Sequence, residues 1–281
     1  KHLPHRNKAF YGGGPSLSHV YSSGLLLHHY MTGSMSSYEA VLELASFVEN
    51  NIKAETHLLR KMVRMARKSI AFIKEKSSGP DLVQINKVYG LEGPGRASGN
   101  TLAVLLDAYQ LTNKVDYLQK AEAVIRACVH PEDDIAKKEL LDVENRWMYV
   151  VFFQSIGKYI DIKTMLEAFD EMREYAVTCL NRYASWMLDN EYVYLSKPEK
   201  LEYPNETWAA QEVRKCNVFL YAAKYTEAPQ NRIFYEKADH FYEEGVEYLC
   251  RFETKTLTRP MILMLLNGMM YDYFKSNETR V

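Results

Sequence analysis

The chain has 281 residues, 47% of them hydrophobic and 25% charged, enough to bury a sizeable core and unlike the composition of a disordered segment. Lys plus Arg totals 35 against 36 for Asp plus Glu, and this balance leaves no net field to draw the molecule onto nucleic acid or an anionic membrane. No stretch reaches the roughly 20 uninterrupted apolar residues that span a bilayer, Met261 to Met270 being too short and too interrupted, so no membrane insertion is expected.

The chain opens at Lys1 without a methionine or a signal-peptide pattern and reads as a processed or excised piece whose compartment is not legible. Among the early histidines, His2 and His5 lie in a loose segment, and His28 and His29 face different sides of a helix; neither these nor His19 are expected to bind a metal, and no cofactor is called for. Three glycines and a proline, Gly12-Gly13-Gly14-Pro15, lead into a helix expected over Leu17 to Met31 and put His19 in its first turn, where it either points into a cleft or packs the loop. Thr32-Gly33-Ser34 ends that helix, and Ser37 to Asn50 and Thr56 to Lys76 follow with apolar residues at three- and four-residue steps. Within the latter, Arg60 to Lys68 alternates charge with apolar residues and reads as a solvated helix face.

A second glycine-rich approach, Tyr89-Gly90-Leu91-Glu92-Gly93-Pro94-Gly95-Arg96, enters helices expected over Ala97 to Leu111 and Val115 to Cys128. It holds a carboxylate and a guanidinium on a stiff turn, and Arg96 can either neutralise a substrate carboxylate bidentately or pair with Glu92 at the surface. The glycines match neither a phosphate-binding loop nor a dinucleotide fingerprint. Glu132, Asp133 and Asp134 read as N-terminal charge for a helix over Ile135 to Ser155, followed by one over Ile162 to Leu188. A third loop, Leu201 to Glu206, then enters the helix Thr207 to Tyr225, with Asn205 or Thr207 as cap and Trp208 either a sugar-stacking platform or a core ring. Asn231 to Phe252 and Thr258 to Phe274 complete the chain. Cys128, Cys179, Cys216 and Cys250 are widely spaced in apolar helical contexts and read as buried free thiols.

The result is an all-α expectation of about ten helices pairing as about five hairpins, in one domain over residues 1–281. A weak internal repeat supports it: His29-Tyr30-Met31-Thr32-Gly33, Tyr109-Gln110-Leu111-Thr112-Asn113 and Ala223-Lys224-Tyr225-Thr226 each end a helix and lead into an aromatic followed by Ala. The copies lie about 80 and 115 residues apart, unlike the period of about 33 to 47 of open helical solenoids, and this favours a closed (α/α) toroid.

The run from Tyr11 to Tyr38, with its glycine-rich loop, His19, Gly24-Leu25-Leu26-Leu27, Tyr30 and Thr32-Gly33, resembles the toroid domain of exo-rhamnogalacturonan-lyase-like proteins. The stretch Gly95-Arg96 through Tyr109, Thr112, Tyr117 and Ala121 is similar to hairpins in those proteins and, more distantly, in unsaturated glucuronyl hydrolases. The resemblance implies a carbohydrate-active enzyme or enzyme domain, in first place a polysaccharide lyase acting by β-elimination on a uronic-acid-containing glycan. In that role His19 or Tyr21 is the base and Arg96 the carboxylate clamp, while Tyr89, Glu92, Asn205 and Trp208 line sugar subsites. The alternatives are a six-hairpin glycoside hydrolase using Glu92 and Glu206, or a non-catalytic helical domain that binds glycan or packs on a partner. The partner is an oligo- or polysaccharide, with a preceding domain of the same protein and a periplasmic or secreted location as further implications. Ser34 stands where such repeats often carry Asp, and Asn113 where they carry Gly.

Overall fold

In the computed structural model, which describes residues 16–54, 91 and 93–278, regular structure is helical throughout the described residues. The expected helix over 56–76 with its basic stretch, and the site candidates Tyr89 and Glu92, lie outside them. The chain divides into two compact units, Lys1–Val129 and His130–Val281.

In the first unit, α1 (Ser23–Thr32), α2 (Met35–Ala54) and α4 (Val115–Cys128) all pack on α3 (Arg96–Thr112). The reason is written in α3: Leu102, Val104, Leu105, Leu106 and Ala108 are all buried, so its apolar residues run around the helix instead of forming one stripe. A helix apolar on every side is stable only when neighbours cover every side, which makes α3 the axis of the unit. His19 departs from expectation, lying in a separate 3-10 turn, Leu17–His19, instead of the first turn of α1. Extended backbone at Val20 ends that turn before α1 begins.

Two copies of the internal repeat share one turn geometry. Gly33 and Asn113 take left-handed backbone at φ 70° and 55°, and their N–H groups donate to His29 O and Tyr109 O at 2.8 and 2.7 Å. Thr32 Oγ1 donates to His28 O and Thr112 Oγ1 to Ala108 O, each at 2.6 Å. Asparagine tolerates the left-handed region, so the Gly-to-Asn difference leaves the turn intact.

In the second unit the axis is α8 (Glu206–Lys224), flanked by α6 (Tyr149–Met165), α7 (Glu171–Asn190), α9 (Gln230–Arg251) and α10 (Thr258–Glu278). Residues Trp208 to Val213 and Lys215 to Ala223 of α8 are buried. The stretch before α6 is not the continuous helix expected from Ile135: it is a 3-10 turn, Ile135–Lys138, and a single short helix, α5 (Val143–Arg146). Asp133 precedes that 3-10 turn, where it accepts a hydrogen bond from Tyr183 Oη at 2.8 Å and pairs with Lys138 at 3.1 Å.

The break expected at residues 155–162 falls instead at 166–170. Glu167 takes left-handed backbone at φ 53°, and Asp170 caps α7 by accepting from Arg173 N at 3.0 Å. Gly157 lies inside α6, where a Cβ would fall 2.2 to 2.6 Å from the Tyr221 ring of α8. The glycine exists to let that ring approach the helix backbone. Of the cysteines, Cys128, Cys179 and Cys216 are buried thiols as expected, whereas Cys250 is exposed near the end of α9. No described helix is long and apolar enough to cross a membrane.

Candidate functional site

The glycine-bearing approach to α3 is a shaped turn. Gly93 adopts φ 66°, and Ser98 Oγ accepts from Gly95 N at 2.9 Å while donating to Gly93 O at 2.8 Å. This fixes where α3 starts and therefore where Arg96 stands. From that start, one face of α3 grips the segment that precedes α1 at three heights. Arg96 Nη1 donates to His19 Nε2 at 3.2 Å, and Asn100 Nδ2 donates to Ser18 O at 2.9 Å. Asp107 accepts from Ser22 Oγ and, at 2.9 Å, from Ser23 Oγ. Positions 96, 100 and 107 fall on one side of a helix of 3.6 residues per turn, so a single face sets the whole course of residues 18–23.

The Asp107 carboxylate is fully buried against the first turn of α1, where negative charge complements the helix dipole. A guanidinium can only donate, so His19 Nε2 carries a lone pair in this arrangement. His19 and Arg96 are half buried. Tyr21 is 62% exposed, and its ring meets the His19 ring edge-on with centroids 6.5 Å apart. The structure thus brings together three of the candidates read from the sequence, His19, Tyr21 and Arg96, at the N-terminal end of a 17-residue helix.

The other described candidates belong to the second unit. Asn205 is the cap of α8, its side chain accepting from Thr207 N at 3.0 Å. Trp208 is buried, with its ring edge-on to Trp147 at 6.2 Å and to Tyr194 at 5.3 Å, so of its two readings the structure takes the core ring. Glu206 opens α8 and lines a mainly apolar cleft of about 180 Å³ with Leu249, Leu257, Pro260, Met261 and Met264.

A second ionisable cluster went unread in the sequence. Lys215 Nζ on α8 lies 3.0 Å from Glu191 Oε2 and 3.0 Å from Glu212 Oε2, and donates to Tyr192 O at 2.5 Å. The far oxygens are held as well: Tyr149 Oη donates to Glu191 Oε1 at 2.6 Å, and Tyr194 N donates to Glu212 Oε1 at 2.7 Å. The ammonium also sits 3.3 Å from the centroid of the Tyr194 ring. Burial, opposed by Lys215, pushes the Glu212 carboxyl up to about 7, and burial raises the Tyr149 and Tyr194 hydroxyls well above their ordinary value. The local signal was Glu212 and Lys215, three residues apart on a helix in a stretch that also holds Gln211, Arg214 and Asn217.

Among the described residues, no three His, Cys, Asp or Glu side chains gather in a way that could hold a metal ion. No family model, curated protein or solved structure matches the chain. A functional reading therefore rests on side-chain geometry.

Proposed function

We propose that the chain is a carbohydrate-active enzyme or enzyme domain of the polysaccharide lyase class, cleaving uronic-acid-containing glycan by β-elimination on an (α/α) toroid. The observation that carries this reading is the His19–Arg96 pair, a lone-pair nitrogen 3.2 Å from a guanidinium in a half-buried, solvent-reaching position. The toroid part is supported by helical hairpins with short turns, α1–α2 through Gly33 and α3–α4 through Asn113.

Eliminating across a uronate ring requires loss of the proton beside the carboxylate, and the carbanion that forms is stable only if that carboxylate is neutralised. Arg96 supplies the neutralising charge, with a planar fork suited to two carboxylate oxygens, and the N-terminus of α3 adds its partial positive charge. When the guanidinium turns to the substrate, His19 Nε2 is released to take the C5 proton. The electron pair then forms the C4–C5 double bond, the C4–O bond to the neighbouring sugar breaks, and the exposed Tyr21 hydroxyl protonates the leaving oxygen. His19 is the base in this account and Tyr21 the acid.

The test compares a uronate polymer with the same polymer after its carboxyls are reduced to alcohols. The expected result is an unsaturated, ultraviolet-absorbing product from the first and a rate lower by about 100-fold or more from the second, the scale of losing one preorganised charge contact. Equal cleavage of both polymers, or a plain reducing end without the absorbing product, would remove the lyase; the latter outcome would point to hydrolysis.

A further inference from the structure

The buried cluster of the second unit combines one ammonium with two carboxylates, and its side chains are 0% exposed for Lys215 and Glu212 and 2% for Glu191. With all three ionised, the cluster carries one net negative charge out of water, and such excess charge is relieved most simply by binding a proton. The arrangement says where that proton goes. Glu191 accepts from Tyr149 Oη, whereas Glu212 accepts only a backbone N–H, from Tyr194, besides the lysine that lies 3.0 Å from each carboxylate, and its complete burial raises its carboxyl.

The groups facing Glu212 come from four elements. Tyr149 comes from α6, Lys215 from α8, and Glu191, Tyr192 and Tyr194 from the segment after α7; around these, Arg214 of α8 acts on Tyr194 and Glu199 on Tyr192. Helix α9 contributes Gly245, where a Cβ would come within 3.0 Å of Glu212 Cβ, and the Phe241 ring, which lies 4.8 Å from Lys215 Nζ and 5.3 Å from Lys237 Nζ.

The cluster also has a mechanical position. Glu191, Tyr192 and Tyr194 begin the connection between α7 and α8, and they are tied to α8 through this cluster and the Tyr194–Trp208 ring contact. Beyond them the connection runs in two 3-10 turns, Tyr194–Ser196 and Pro198–Lys200, whose Ser196 to Lys200 are exposed. The Tyr194 ring is 1% exposed, yet its hydroxyl has no hydrogen-bond partner among the described residues, so the packing there leaves a buried polar group to be gained by opening.

We propose that Glu191, Glu212 and Lys215 form a proton-operated latch on the segment 191–205: with one proton bound at Glu212 the segment is held against α8, and loss of that proton loosens it. The device is independent of the reaction proposed above. Its linkage has a definite sign. In the opened segment Glu212 is solvated and titrates in the ordinary carboxyl range, so opening releases a proton and becomes more frequent as pH rises.

The test is amide hydrogen exchange of the full chain, read on peptides covering 191–205 from pH 5 to pH 8 and corrected for intrinsic exchange. The opening equilibrium is expected to rise about tenfold per pH unit up to near pH 7 and then level, the slope of one proton released. In Glu212→Gln, which keeps the size and cannot ionise, the slope is expected to vanish while peptides of the first unit are unchanged. Should that variant not fold, infrared difference spectra of the wild-type protein serve instead: a protonated carboxyl band present at pH 6 and lost by pH 8 is expected. A wild-type opening that ignores pH, the same slope in Glu212→Gln, or no such band would each overturn the latch.

Discussion

In the first unit the central helix presents its charged group at its end, where Arg96 meets His19 half buried; in the second, Glu212 and Lys215 occupy the middle of the central helix with no exposure at all. The residue chemistry is similar, a cation beside a proton acceptor, yet the two places ask different things of it. At a half-buried helix end, water reaches the pair and the helix dipole adds to it. In mid-helix every donor and acceptor must be used internally, so the same kinds of group become a fastening whose protonation is tied to folding. Glycine-rich backbone marks the first situation, whereas the second lies in mid-helix with no such mark.

The largest expected effect tests the sealed side of this contrast. Lys215→Met removes the cation and leaves two carboxylates buried together, which is expected to cost about 3 to 5 kcal/mol in denaturant unfolding. A loss below about 1 kcal/mol, the scale of an exposed pair, would mean that the cluster is open to water and that the contrast is wrong.

Next in size is the pH dependence of stability. The folded Glu212 carboxyl titrates near 7 and the unfolded one near 4.5. Below both values each state holds the proton and the group is neutral in its effect; between them the unfolded chain has ionised while the folded chain has not. Stability is therefore lost as pH rises from about 4.5 to 7, by about 3 kcal/mol, and is flat above. Subtracting the urea-unfolding profile of Glu212→Gln from that of the wild-type protein isolates this contribution, and a difference that grows in the opposite direction would refute it. The smallest effect belongs to the open side: Arg96→Ala is expected to change stability by less than about 1 kcal/mol, because the pair it breaks is half exposed.

Much of the helical inventory was legible because periodicity at three- and four-residue steps survives burial, as in Val115–Cys128 and Gln230–Arg251. The failures are instructive about single residues. The break expected at 155–162 falls inside α6, where Gly157 makes room for the Tyr221 ring, a contact 64 residues away by number (221 less 157). The boundary found rests on Asp170, whose side chain caps α7, and the sequence reading did not use that cap. At the site, His19 and Arg96 were found because glycines and proline flag both approaches, but the spacing 96, 100, 107 on one face became visible only when residues 18–23 were seen lying along it. Trp208 could not be assigned from sequence, since a stacking platform and a core ring have the same local pattern. The latch was invisible for a related reason: charged residues in a sequence read as solvated, and nothing local shows that Glu191 folds back onto a helix holding Glu212 and Lys215.

The central claim is that His19 and Arg96 act together on uronate, and the ultraviolet absorbance of the unsaturated sugar end reads it directly. Wild-type protein incubated with pectic and other uronate polymers is expected to generate that absorbance, and the His19→Ala, Arg96→Ala double variant, with its helical circular dichroism intact, is expected to generate none. Wild-type rates in the double variant would contradict the assignment outright.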